Sequence, residues 1–169
     1  MPIYSNQVEG HVLGGLLKHP DVLPEIDSFV NAADFYNDVH QTIYCILRES
    51  ILNGEKIDKV LVATKISNLG ISSKDDIDIY DYINTLSYTS ITRDAVIGSC
   101  KELVKVRIRR ELSETADRIK EHVTNSSNED LDSIIASTDA IYSEKVSSYS
   151  FEDDPQNVFD DLEFKVEER

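Results

Sequence analysis

The chain has 169 residues, 40% apolar and 29% charged, enough for one ordinary globular domain or a small domain with an appendage. Its formal charge of −15 argues against a whole-chain electrostatic grip on nucleic acid or an anionic membrane, so any strong contact of that kind needs a local basic patch. No apolar run approaches the roughly 20 residues of a membrane span, and the start MPIYSNQVEG has neither the basic nor the apolar region of a secretion signal. The expected location is the cytoplasm.

Apolar residues recur at helical spacing almost everywhere and period-two alternation is scarce, so the expectation is an all-α fold. Asn6 with Glu9 offers a capping box for a first helix with the stripe Val8, Val12, Leu16. Gly14 and Gly15 inside it each weaken a helix by about 1 kcal/mol against Ala, which points to another backbone approaching closely there. A short helix is expected around 21–30, after His19-Pro20. Asn37 caps the next, with Val39, Ile43, Ile46, Leu47 and Ser50 on one face and Asn53-Gly54 as its stop. Asp58 opens a helix through Val62, Ile66 and Leu69 closed by Gly70, and Ile79, Tyr82, Ile83 and Leu86 make one more. Cys45 and Cys100 both fall inside apolar helical patterns, where a free thiol is expected to be buried as a small hydrophobe.

From about Thr92 the stripe Val96, Cys100, Val104, Ile108, Leu112, Ala116, Ile119, Val123 steps by threes and fours with no proline and no glycine on the stripe. That pattern predicts a helix of about 30 residues, long for a compact domain. Thr124 to Asn128 breaks it, and Ser126 with Glu129 can cap a return helix carrying Leu131, Ile134, Ile135, Thr138, Ile141 and Tyr142. So short a turn makes an antiparallel hairpin. After an acidic linker, Pro155 with Val158, Phe159, Leu162 and Val166 suggests a short last helix. The expected organisation is a helical head over 1–91, a hairpin over 92–146, and a linker with the start of a linker helix over 147–169.

Residues 1–92 carry net −7, 93–123 net +2, 124–150 net −4 and 151–169 net −6. The basic concentration is therefore on the long helix, at Lys101, Lys105, Arg107, Arg109 and Arg110. It lacks the interleaved aromatics of a single-strand nucleic-acid strip, and ion pairing within or between helices is the simpler reading. No glycine is followed by lysine and the six glycines cannot supply GxGxxG, so no phosphate-cradling loop is encoded. The four histidines have no HxxxH or HExxH spacing. His40 reads as a core or capping histidine, and runs such as Asp75-Asp76 as solvated helix starts rather than cation sites. Catalytic, cofactor-binding and metal-ligating residues are each expected to be none.

Several pieces in order carry a resemblance. They are Glu9 with Val12, Leu13, Gly14, Leu16, Leu17 and Pro20; Asp34-Phe35-Tyr36 with His40, Gln41, Ile43 and Tyr44; and Gly54 to Asp58. Tyr82, Ile83, Leu86 and Arg110-Glu111-Leu112 extend the match. The chain resembles the N-terminal domain of DnaB-type replicative DNA helicases. It departs from that pattern at Thr89 to Asp94, where the family usually has Pro-Ser/Thr and Asn. The family's ATP-hydrolysing motor domain is not among these residues, and Arg169 falls within a helical pattern, which reads as truncation. ATP and Mg²⁺ are accordingly expected only in the motor domain.

The resemblance implies a non-catalytic collar domain of a hexameric helicase, bacterial or phage. Such domains pair through their hairpins, form a three-fold collar, and dock the primase through its C-terminal domain; a helicase loader is a further expected partner. On this basis subunit association is expected at Leu112, Ala116, Ile134, Ile135, Ile141 and Tyr142. Primase docking is expected at Arg118, Ile119, Lys120, Val123 and Leu131. Linker-helix docking on a neighbouring motor domain is expected at Val158, Phe159, Leu162 and Val166. The competing reading is a free-standing helical adaptor or inhibitor that caps a host helicase or primase.

Overall fold

A computed structural model describes residues 2–70 and 78–149. All regular structure among them is helical: α1 Asn6–Lys18, α2 Leu23–Ile26, α3 Asp38–Leu52, α4 Lys59–Asn68, α5 Ile79–Ser87, α6 Arg93–Asn125 and α7 Leu131–Ser147, with 3₁₀ turns at Pro20–Val22 and Ala32–Asp34. Two compact units divide between Ile108 and Arg109, so the first half of α6 belongs to the head. The linker-helix residues Val158, Phe159, Leu162 and Val166 lie outside the described residues.

Local sequence explains most of the helix boundaries. Asn37, Asp58 and Asp78 each accept backbone N–H groups of the turn that follows, satisfying donors that a helix start leaves unpaired. Gly54 and Gly70, at φ 72° and 65°, take the left-handed conformation that ends α3 and follows α4. Four expectations are corrected. Ser5, not Asn6, caps α1, its hydroxyl accepting from the Val8 N–H at 3.2 Å, and Glu9 turns inward instead of closing a box. The helix expected over 21–30 is a 3₁₀ turn and one α turn, because Pro20 and Pro24 fall within its first five residues and neither can donate a backbone hydrogen bond. Asp130, not Ser126, precedes α7, while the Ser126 hydroxyl donates to the His122 carbonyl at the end of α6. Leu69 follows the last residue of α4 and is exposed.

The head core joins Val12, Leu13 and Leu16 of α1 with Ile43, Tyr44 and Leu47 of α3. Val62 and Ile66 of α4, Ile83 of α5, and Val96, Cys100 and Leu103 of α6 complete it. The glycine pair in α1 permits this packing. A Cβ on Gly14 would lie 2.6 Å from the Leu86 carbonyl oxygen, and one on Gly15 would overlap the Val96 side chain. Cys100 is buried, and burial together with the nearby Asp34 charge pushes its thiol up to about 12. Cys45 is exposed, contrary to the expectation of a buried thiol, because it sits between Tyr44 and Ile46 on the outer edge of the α3 stripe.

In the second unit, Glu111 accepts from the Tyr149 hydroxyl at 2.5 Å and pairs with Lys145 at 3.2 Å. The early end of this part of α6 thus meets the late end of α7, and the two helices run as an antiparallel hairpin.

Candidate interaction surface

A helix that packs on one neighbour usually buries a continuous stripe, yet no residue of α7 falls below the threshold of full burial. Leu131 is 70% exposed, Ile135 58% and Tyr142 54%, and across the hairpin Val123 is 50% exposed. Ile119, Ile134, Ile135, Thr138, Asp139 and Tyr142 line an apolar groove of about 440 Å³. The structure therefore brings Ile119, expected at primase docking, together with Ile134, Ile135 and Tyr142, expected at subunit association. Leu112 and Ala116 are exposed further along α6, and Ile141 is half-buried. Arg118 and Lys120 flank Ile119 and are exposed. Thr138 Oγ1, within the groove lining, is buried without a hydrogen-bond partner, as is His122 Nε2.

The head holds polar groups that sequence reading did not connect. Glu9 and His40 are each 1% exposed, with His40 Nδ1 2.9 Å from Glu9 Oε1. A carboxylate only accepts, so Nδ1–H donates, and the Asn37 backbone N–H donates to the same oxygen at 3.2 Å. His40 Nε2 bonds the Tyr82 hydroxyl, with the two rings stacked. Burial, helped by the Glu9 charge, raises the Tyr82 phenol above its ordinary value. This chain ties α1, α3 and α5 together without opening onto a cavity, so its chemistry is structural. The core reading of His40 fits its burial.

Arg107 lies 2.9 Å from the wholly buried carboxylate of Asp34, which also accepts from the Asn31 backbone N–H at 2.7 Å. At Arg107, then, the basic stretch of α6 makes a long-range ion pair to the head rather than presenting a free cation. Arg93 at the start of α6 pairs with Asp21 at 2.8 Å and with Glu25, and His19 Nε2–H donates to the Ile91 carbonyl at 2.9 Å. The only sequence signal for these contacts was that Glu9, Asp34 and His40 all belong to the resemblance. Among the described residues no group of three His, Cys, Asp or Glu side chains could hold a metal ion, and no helix is long and apolar enough to cross a membrane.

A small helical head continuing into a helix of 33 residues that returns as a hairpin defines a distinct class of all-α domain. Residues 1–105 match the family model described as DnaB-like helicase N terminal domain, and the chain belongs to that family. It is 25% identical to the replicative DNA helicase DnaB of Haemophilus influenzae over 99% of this chain and 36% of that protein. It is 27% identical to the DnaB of Pasteurella multocida over 63% of this chain and 24% of that protein. The chain thus spans about a third or less of the curated relatives it matches. Its fold is similar to the crystal structure of the N-terminal domain of DnaB helicase from Mycobacterium tuberculosis, with a TM-score of 0.71 and 22% identity over 84% of this chain and 99% of that one.

Proposed function

We propose that this chain serves a replicative DNA helicase as a non-catalytic collar domain, joining subunits through its hairpin and docking the primase there. The observation that carries the reading is the hairpin groove with its exposed Ile135, Tyr142, Leu131 and Val123, which an isolated pair of helices cannot cover. Leu112, Ala116, Ile134, Ile135, Ile141 and Tyr142 form the association face. Arg118, Ile119, Lys120, Val123 and Leu131 form the docking face, and the groove position of Ile119 makes the two continuous. The relatives bear the name replicative DNA helicase, which supports replication as the setting.

The test is mass by light scattering against concentration, on the chain and on its Ile135→Asp variant. A charge placed in an apolar contact loses hydration without gaining a partner, so the variant should move toward monomer while circular dichroism stays helical. An unchanged mass rejects the association face. For docking, changing Ile119 and Val123 together to Ser should weaken capture of the cognate primase C-terminal domain and leave thermal stability within a few degrees. Unaltered capture rejects that site.

A further inference from the structure

The helix α4 is apolar nearly all round, although it packs on one side only. Val62, Ala63 and Ile66 are buried, while Val60 and Leu61, on the opposite side, are each more than half exposed. An apolar residue on every face of a helix is the mark of a helix covered on every face. The adjoining surface of α5 continues the patch. Thr64 Oγ1, one turn after Val60, lies 3.1 Å from the Tyr80 hydroxyl, and Lys59 Nζ donates to Asn84 at 2.7 Å with the Tyr88 ring centre 5.7 Å away. Tyr80 is half exposed and Tyr88 is 73% exposed. Tyrosine with aliphatic neighbours and a lysine rim is the composition of protein contacts rather than of solvated surface.

Charge decides what covers it. Over residues 2–52 the head has Lys18 and Arg48 against seven carboxylates. Around α4 and α5, by contrast, Lys56, Lys59 and Lys65 face Glu55, Asp58, Asp78 and Asp81, and Asp58 and Asp78 are spent as helix caps. In a chain of net −15 this is the region of the head where a second copy meets near-equal numbers of both signs rather than repulsion. A face apolar at its centre and charge-balanced at its rim is self-complementary, as a two-fold contact requires. We propose that the α4–α5 face is a second self-contact of this chain, on which another copy docks by the same face. It is independent of the hairpin reading and extends it: one two-fold interface stops at a pair, whereas two interfaces on different faces join pairs into larger assemblies.

The experiment is light scattering on the full chain and three variants: Ile135→Asp, the double change Val60→Ser with Leu61→Ser, and all three together. Val60 and Leu61 are more than half exposed, so the fold should survive, as checked by circular dichroism. Expected is a residual dimer in Ile135→Asp that the two serines abolish, with at least a tenfold rise in the dissociation concentration. An Ile135→Asp chain that is monomeric throughout, or a residual dimer indifferent to the serines, overturns the proposal. Failure of the hairpin reading shows differently, as an Ile135→Asp chain with the parent's mass. In the Ile135→Asp background, Lys59→Glu and Asp81→Lys chains should each self-associate less and should pair with each other when mixed. Equal self-association of all three sinks the self-complementary face.

Discussion

The glycines of this chain allow one substitution to be tried in opposite circumstances. Gly14 and Gly98 both lie inside α-helices, so Ala at either gains helix propensity of about 1 kcal/mol. At Gly98 a Cβ meets nothing within 4 Å, and the gain is kept. At Gly14 the Cβ would lie 2.6 Å from the Leu86 carbonyl oxygen and 2.9 Å from Thr89 Cβ. The nearest of these is backbone at the end of α5, which cannot rotate aside, so α1 and α5 must separate. Overpacking of that kind costs about 1–3 kcal/mol and sometimes more. Gly14→Ala should therefore be net destabilising by about 1–2 kcal/mol despite its better helix propensity. For a chain of this size that lowers Tm by roughly 2–8 °C, whereas Gly98→Ala should raise it by a few degrees. Thermal and urea unfolding followed at 222 nm would read both. A Gly14→Ala protein at least as stable as the parent would refute the close approach of α1 to the end of α5.

Asp34→Ala removes the partner of Arg107 and the acceptor for the Asn31 N–H, leaving a partly buried cation unpaired; a loss of about 3 kcal/mol is expected in urea unfolding. Tyr82→Phe deletes only the hydroxyl on His40 Nε2 and should cost about 1 kcal/mol, whereas Glu9→Leu strips His40 Nδ1–H and the Asn37 N–H of their acceptor and should cost several times more. Equal effects would mean that the three groups do not form one chain of bonds. The Lys65 ammonium, 2.5 Å from Glu55, holds that carboxyl below its ordinary 4.5. A lowered folded value gives stability that is present above pH 4.5 and disappears as pH falls through the folded value. Glu55→Gln should flatten that part of the acid limb while leaving stability at pH 9 little changed, as screening at this exposed pair keeps the effect small.

The DnaB resemblance of the notable residues and their place in the fold have one physical origin. Glu9, Asp34 and His40 are polar residues inside otherwise apolar stripes, and each is buried with a partner from a different helix. Sequence periodicity determined that the chain is helical, where α3 and α4 begin, and that α6 is long, because these depend on caps and on spacing within a few residues. It also determined that two glycines sit where α1 is approached, since helix interiors seldom keep glycine without need.

Tertiary structure alone decided the rest. Arg107 and Asp34 are 73 positions apart, and nothing in the local pattern of α6 distinguishes Arg107 from Lys105 or Arg109, because solvated and paired cations occupy helix surfaces at the same spacing. Periodicity likewise marks Ile134 and Ile135 as apolar without saying how much of either the opposing helix covers; Ile135 is left 58% exposed. Cys45 fails for the same reason, since a residue at the edge of a stripe is buried or bare according to which helix lies alongside. A sequence fixes the order of residues around a helix axis, but the neighbour that removes water from one arc of it is set by contacts between distant segments.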